Sequence, residues 1–152
     1  MGTSSGLGLL LIRIPLGVFF AWAGVNKLTS EGGVGGFVDF AKGMVPDWAQ
    51  GFDQYMDMYL QSIPYAEVAL GALLVLGAFT RLSGLLIALM ITSFSLASGA
   101  FTEQPHGIFH PNILMIAMAA GLMFTGAGPL SVDWRVLRSR GSAGSVSPPG
   151  RL

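Results

Sequence analysis

Residues 63–101, IPYAEVALGALLVLGAFTRLSGLLIALMITSFSLASGAF, hold two long apolar runs with a very short polar break between them. The runs cover residues 63–79 and 82–101, and only Thr80 and Arg81 separate them. A run of roughly 20 mostly apolar residues is long enough to cross the hydrocarbon core of a bilayer as a helix. Two such helices joined by so short a connection must be antiparallel, which predicts a tight transmembrane hairpin.

Two further apolar runs, residues 6–25 and 111–125, flank this hairpin. The 152-residue chain is 52% hydrophobic and only 11% charged, which is too apolar for an ordinary soluble domain. No Lys or Arg precedes Arg13, and no small-x-small site leads into a soluble domain, so the first run is expected to be a span rather than a cleaved signal peptide. The sequence therefore predicts an all-α integral membrane protein whose residues 1–134 form an antiparallel four-helix transmembrane bundle.

The distribution of Lys and Arg predicts the orientation, because cytoplasmic loops carry an excess of both. The opposite side is expected to hold Lys27 and Lys42, together with most of the acidic residues. Both termini are therefore expected in the cytoplasm, and the membrane is the inner membrane if the cell is bacterial. The residues on the cytoplasmic side are Arg81, Arg135, Arg138 and Arg140.

Residues 135–152 form a basic tail rich in Gly, Ser and Pro, with little to bury. We expect a disordered cytoplasmic tail whose arginines lie near anionic lipid headgroups.

The outer connection, residues 29–62, begins with a glycine-rich stretch and then becomes aromatic. Asp47 stands before the aromatic run as a plausible N-cap. The pattern predicts a short interfacial helix, with its rings at the depth that Trp and Tyr prefer. Two interpretations stay open, since the rings either anchor the loop or form a lid over a lipid-soluble substrate. The aromatic residues at helical spacing are Trp48, Phe52, Tyr55 and Tyr59.

Two spans carry matching stripes of charged and small residues. The first stripe runs from Arg13 to Lys27, and the second runs from Glu67 to Arg81. At 1.5 Å per residue, each stripe is about 21 Å long. Small residues let helix backbones approach closely in lipid, so the two faces are expected to meet each other or a common interior. The small residues are Gly17, Ala21 and Gly24 in the first stripe, and Gly71 and Ala78 in the second.

The equal lengths assign the charges to two ends of an antiparallel pair. Lys27 beside Glu67 at the outer end, next to Asn26, places Arg13 level with Arg81 at the inner end. The outer pair is either a clamp that sets helix register or a site for proton handling or quinone binding, because charges at membrane depth are costly and mark function by default. The inner cations need an anion, for which Asp133 or a lipid phosphate is the candidate.

Histidines occur only in the loop after the third span, as Glu103-x-x-His106-x-x-x-His110. Pro105 and Gly107 interrupt this segment, so we predict no metal site. Imidazole titrates near neutral pH, so either histidine is a candidate proton donor or acceptor at the mouth of the outer site. A solvated loop histidine is the simpler alternative.

Three motifs resemble the DoxX family of small four-helix membrane proteins. They are R-x-x-x-G-x-x-F-x-x-A-G-x-x-K-L at residues 13–28, E-x-x-x-G-x-x-x-x-x-G-x-x-x-R at residues 67–81, and G-x-G-P-L-S-V-D at residues 126–133. The family includes the membrane subunit of a thiosulfate:quinone oxidoreductase, along with members tied loosely to redox or oxidative-stress complexes. The resemblance implies a membrane protein near quinone or thiol redox chemistry. The positions that match the family's polar pattern are Arg13, Lys27, Glu67, Arg81 and Asp133.

The composition narrows this chemistry. The chain has no cysteine, which excludes dithiol exchange and cysteine-ligated iron–sulfur clusters, and it has no histidine deep in a span to ligate haem. We expect no covalently bound cofactor, so an electron carrier must be a quinone or belong to a partner.

Two functions remain after these exclusions, and the sequence does not decide whether the protein is an enzyme. One is a redox subunit that binds a quinone or other lipid-soluble substrate near the outer leaflet. The alternative is a non-catalytic anchor or assembly subunit; a transporter is third, because four short helices leave little room for alternating access. The expected partners are the bilayer and other subunits or further copies of the chain, with no nucleic acid. The candidate catalytic residues are Glu67, Lys27, His106 and His110, the candidate binding residues are Asn26, Lys27, Glu67, Trp48 and Tyr55, and the structural charge cluster is Arg13, Arg81 and Asp133.

Overall fold

The computed structural model describes residues 3–45, 53–97 and 110–135. All regular secondary structure in these ranges is helical. The helices of ten or more residues are α1 (Thr3–Thr29), α2 (Gly33–Lys42), α3 (Asp53–Leu76), α4 (Thr80–Ala97) and α5 (Pro111–Thr125), and residues 132–135 add one helical turn.

Three helices in the described ranges are long and apolar enough to cross a membrane. Their apolar parts are Gly6–Thr29, Tyr55–Leu76 and Thr80–Ala97. The fourth predicted span coincides with α5, which is apolar but has only 15 residues. The chain is therefore a multi-pass helical membrane protein.

The turn between α3 and α4 lies earlier than predicted. The helix α3 ends at Leu76, and Thr80 already belongs to α4, so Thr80 and Arg81 are not the connection. Gly77 ends the helix with a φ of 69°, a left-handed conformation that glycine adopts without strain. The Ala78 N–H donates to the Leu73 carbonyl, which closes the last turn. Hydropathy cannot detect this stop, because the residues of the turn are themselves apolar.

The predicted interfacial helix around the aromatic run is not a separate element over the described part of that run. Tyr55 and Tyr59 lie in the first turns of α3, which begins at Asp53 and continues directly into the predicted span. Trp48 and Phe52 lie outside the described residues. The helical spacing of the two tyrosines was read correctly, but the prediction that their helix ends before the span was wrong.

The helix α2 lies in the outer connection and begins within its glycine-rich stretch. Its Phe37, Val38 and Ala41 are buried against Leu60 and Ile63 of α3. Burial of this apolar face stabilises the helix despite its glycine-rich first turn.

The helices pack as two close antiparallel pairs. Gly17 of α1 lies against Gly71 of α3, and Gly24 lies against Pro64. Residue numbers therefore increase along one helix as they decrease along the other, as in an antiparallel pair. The helices α4 and α5 are also antiparallel. Gly84 near the start of α4 lies against Ala119 of α5, and a hydrogen bond joins Ser95 near the end of α4 to Asn112 near the start of α5. Both pairs contribute to one apolar core, formed by Leu16, Phe20, Leu74, Ile87, Ile91, Ala119 and Leu122.

Candidate functional site

An ion pair with a buried carboxylate joins α1 to α3. The Nζ atom of Lys27 lies 2.6 Å from each carboxylate oxygen of Glu67. The Glu67 side chain is 9% exposed and the Lys27 side chain is 26% exposed. The predicted pairing of Lys27 with Glu67 is therefore confirmed. The equal stripe lengths do not explain it, because α3 ends at Leu76 and Arg81 lies on α4.

Close backbone approach brings the two charged side chains together. A Cβ atom added to Gly24 would lie 2.6 Å from the Pro64 carbonyl oxygen, so only glycine fits at this crossing. Lys27 follows Gly24 by three residues, and Glu67 follows Pro64 by three, so in this antiparallel pair the two residues lie on opposite sides of the crossing. Because a helical side chain leans toward the N-terminus of its own helix, each charged side chain reaches back toward the other.

The helix α2 supplies a second partner to the ammonium group. The Phe37 ring centroid lies 5.1 Å from Lys27 Nζ, within the range of a cation–π interaction. Lys27 is thus held between a carboxylate and an aromatic face, and α2 covers the pair on one side.

The ion pair borders a cavity of about 180 Å³, here called the charged cavity. Its other polar group is Asn112 of α5, whose Nδ2 atom donates to Ser95 Oγ of α4 at 2.8 Å. The remaining lining is almost entirely apolar and comes from all five helices. The lining residues are Phe19, Phe20, Ala23, Lys27, Phe37, Ile63, Glu67, Met90, Ile91, Phe94, Asn112 and Met115.

Several predicted binding residues lie elsewhere. Asn26 and Tyr55 are exposed and do not line the charged cavity, and Trp48 lies outside the described residues. Sequence reasoning missed Phe37 and Asn112 as parts of the site. A polar Asn in the first turn of an apolar helix was the available signal for Asn112, but no local pattern indicates that α2 folds back over Lys27.

Of the two loop histidines, only His110 is among the residues that the structure describes. His110 is the N-cap of α5, and its Nδ1 accepts a hydrogen bond from the Asn112 N–H at 3.2 Å. It therefore positions the helix turn that carries Asn112 and does not itself line the charged cavity. His106 and Glu103 lie outside the described residues. Among the residues that are described, no group of three or more His, Asp or Glu side chains is arranged to hold a metal ion.

Arg13, in the structural charge cluster, hydrogen-bonds to the backbone. Arg13 is 2% exposed, and its two Nη atoms donate to the carbonyls of Ala127 and Leu130, each at 2.9 Å. These carbonyls follow the end of α5, where the helix dipole is negative. The predicted partner of Arg13 was an anion, but the groups that accept its hydrogen bonds are backbone carbonyl oxygens.

Asp133 has a second role beside the predicted one. Its two carboxylate oxygens accept hydrogen bonds from the N–H groups of Phe79 and Thr80, at 2.8 and 2.9 Å. These are unpaired donors at the start of α4, so Asp133 caps that helix from a distance in sequence. It remains an electrostatic neighbour of Arg13, whereas Arg81 is exposed on the surface beside Gly126.

A second cavity of about 250 Å³, here called the apolar cavity, adjoins the charged cavity. Ile63 and Phe94 line both of them. Its hydroxyl groups belong to Tyr59 and Ser93, which hydrogen-bond to each other at 2.7 Å. The other lining residues are Ala41, Met44, Val45, Met56, Leu60, Leu96 and Ala97.

Comparison with known proteins adds a family assignment to this geometry. The family model described as DoxX matches residues 8–98, and the model described as TQO small subunit DoxD matches residues 54–145. Each match covers more than half of the chain, and Glu67 lies in both. No significant match to a curated protein or to a solved structure was found.

Proposed function

We propose, because this chain belongs to the DoxX family, that it is a membrane subunit of a quinone-linked redox complex and binds a quinone or another lipid-soluble substrate in the charged cavity. The two family models support the coarser statement, a membrane subunit of a quinone-linked oxidoreductase with other subunits as partners. The substrate and its position are inferred from the site.

The observation that carries the proposal is a partly buried ion pair facing a largely apolar cavity. An ammonium group has three N–H donors, and Glu67 engages two of those of Lys27, which leaves one for a ligand. Charges held at membrane depth mark functional sites by default. A flat, apolar ring that carries carbonyl acceptors suits both the lining and this donor.

The size of the charged cavity agrees with a single ring. An apolar cavity of about 150 Å³ is large enough to bind benzene. At about 180 Å³, the charged cavity admits one ring with small substituents. A ring carbonyl would lie toward Lys27, and Asn112 offers a second polar contact from α5.

The residues of the site suit proton transfer to a quinone. A quinone, when bound, accepts electrons and protons in equal number as it is reduced to the hydroquinone. Lys27 orients the ring by donating to a carbonyl oxygen, and Glu67 holds and passes a proton beside it. The chain has no cysteine to hold an iron–sulfur cluster, so the electrons come from a partner subunit.

The proposed arrangement in the membrane follows from the charge distribution. The four helices α1, α3, α4 and α5 span the inner membrane as an antiparallel bundle, with both termini in the cytoplasm. The charged cavity then lies toward the outer leaflet, because Lys27 ends α1 on the side opposite to Arg81 and Arg135.

Replacing Glu67 with Gln tests this function. The amide keeps the shape of the side chain but cannot take up a proton, so quinone reduction by the purified complex should fall by about 100-fold or more. Asp57→Asn is the matched control, since Asp57 also lies on α3 and pairs with Lys42 at 2.7 Å but lies outside the charged cavity. An unchanged rate in Glu67→Gln, with the complex fully assembled, would refute the proposal.

Exchanging the two charges separates a structural role from a chemical one. The double variant Lys27→Glu with Glu67→Lys keeps an ion pair between α1 and α3, so the protein should remain assembled. The ammonium and carboxylate then occupy exchanged positions relative to the ring, and quinone reduction should remain low. Full recovery of the rate would show that the pair acts only as a clamp.

The alternative function is a non-catalytic anchor or assembly subunit. Its supporting observation is that Lys27 already satisfies both carboxylate oxygens of Glu67 at a glycine-lined crossing, as a register clamp would. The basic tail is the candidate docking segment. Under this alternative, deleting residues 136–152 should release partner subunits on affinity purification, whereas a redox subunit anchored by its helices should retain them.

A further inference from the structure

We propose that the apolar cavity binds the hydrocarbon tail of the substrate, so that the substrate is a quinone with a long prenyl-type tail rather than a small soluble one. This inference rests on the proposed function, which places the ring in the charged cavity.

The two cavities are adjacent in the fold. Ile63 of α3 and Phe94 of α4 line both, and they form the boundary between the charged and the apolar parts. A ligand with its ring beside Lys27 therefore needs to pass only these two side chains to place a tail in the apolar cavity.

The volumes favour a shared ligand. Pockets for drug-sized ligands measure about 300–1,000 Å³. Neither cavity reaches this range, since one measures about 180 Å³ and the other about 250 Å³, but the two together do. A ring alone fills the first and leaves the second without an occupant of its own.

The lining of the apolar cavity suits a tail and no polar group. The hydroxyl groups of Tyr59 and Ser93 hydrogen-bond to each other, so neither needs a polar group of a ligand as its partner. Met44 and Met56 add flexible side chains that adapt to an irregular chain. The contrast with the ion pair and amide of the charged cavity matches the two ends of a prenylated quinone.

The experiment compares two quinones with the same ring, one carrying a single isoprene unit and one carrying many. Their dissociation constants are measured for the full chain in nanodiscs of phosphatidylcholine. Ala97→Leu fills part of the apolar cavity, and Ala72→Leu is the matched control, because Ala72 is exposed on α3 and lines neither cavity. The long-tailed quinone partitions more strongly into lipid, but it does so equally for every variant. Comparing Ala97→Leu with Ala72→Leu therefore removes the effect of partitioning.

In Ala97→Leu, the preference for the long tail should fall about tenfold, which corresponds to roughly two buried CH₂ groups, while the affinity for the one-isoprene quinone stays unchanged. The control should leave both values unchanged. Ser93→Leu should repeat the effect of Ala97→Leu from an exposed position, where the chain tolerates a larger side chain.

Three outcomes would overturn the inference, and they differ in what else they affect. Binding of both quinones with an unaltered tail preference in Ala97→Leu and Ser93→Leu removes the tail site and leaves the proposed function standing. Loss of a bound phospholipid from both variants, detected by mass spectrometry without a change in tail preference, assigns the apolar cavity to an acyl chain of the bilayer. Failure of the unaltered chain to bind either quinone removes the proposed function and this inference together.

Discussion

Arg13 and Glu67 are both buried charges, and the protein stabilises them in different ways. Glu67 has a cationic partner, Lys27, which reaches it from the neighbouring helix. Arg13 donates to two backbone carbonyls beyond the end of α5. Arg13 lines neither cavity, whereas the Lys27–Glu67 pair borders the charged cavity and remains accessible to a ligand. This difference is why only Lys27 and Glu67 enter the proposed site.

Asp133 offers a prediction at the same scale. Asp133→Ala removes both acceptors for the free N–H groups at the start of α4, and loss of a helix cap costs about 1 kcal/mol. Loss of the carboxylate also removes an electrostatic neighbour of Arg13. The melting temperature in detergent should fall by several degrees.

Asp39→Ala is the control for Asp133→Ala, because Asp39 is an exposed acidic residue on α2. Its melting temperature should stay close to that of the unaltered protein. Equal melting temperatures for the two variants would show that Asp133 does not cap α4.

At the scale of elements, the contact between α1 and α3 depends on glycines. A Cβ atom added to Gly17 would lie 2.8 Å from the Gly71 carbonyl oxygen, and one added to Gly71 would collide with the backbone of Ala21. Close approach of this kind stabilises helix pairs in lipid, where the hydrophobic effect between helices is absent. It also sets the level at which Lys27 meets Glu67.

Gly71→Ala should destabilise the protein by about 1–3 kcal/mol, because the added methyl group forces the two backbones apart. Gly121→Ala is the matched control, since nothing lies within 4 Å of an added Cβ there and alanine favours a helix by up to about 1 kcal/mol over glycine. The two substitutions should therefore shift the melting temperature in opposite directions. A stabilising Gly71→Ala would contradict the packing.

The helix α2 brings the outer connection into the site. It packs Phe37 and Ala41 against α3, and its last residue, Lys42, pairs with Asp57 near the start of that helix. This ion pair is largely exposed and contributes at most about 1 kcal/mol. The apolar contacts are therefore the main reason that α2 stays over Lys27.

For the whole molecule, the proposed orientation can be tested because the chain has no cysteine. Single cysteines at Ser30→Cys, just after α1, and at Val132→Cys, beside Asp133, report on opposite ends of the helices. In intact cells, a membrane-impermeant maleimide should label Ser30→Cys, and it should label Val132→Cys only after the cells are permeabilised. The reverse pattern would place the charged cavity on the cytoplasmic side.

Predictions from the sequence were most accurate where a single helix period decides the outcome. Residues 111–125 were predicted as one helix and are one, with Pro111 in the first turn. The pairing of Lys27 with Glu67 was also predicted correctly. Its stated reason, two stripes of equal length on two helices, was wrong, because α3 ends at Leu76 and Arg81 lies on α4.

Predictions were least accurate where the backbone turns. Glycine conformation decides where α3 ends, and Gly77 ends it inside an apolar run that hydropathy counts as span. The start of α3 was also misplaced, because polar residues at the end of a long helix resemble a loop in a hydropathy pattern.

The sequence by itself determined the helical membrane architecture, since apolar length is a local property. It also predicted Lys27 as the partner of Glu67, although the close crossing of α1 and α3 at their glycines is what brings the two side chains together. Only the tertiary structure decided what surrounds that pair. Phe37 reaches Lys27 because α2 packs on α3, Asn112 enters the charged cavity because α5 packs on α4, and Asp133 caps α4 because the chain returns after α5. Each of these contacts joins segments distant along the chain, and their geometry depends on how the helices pack together.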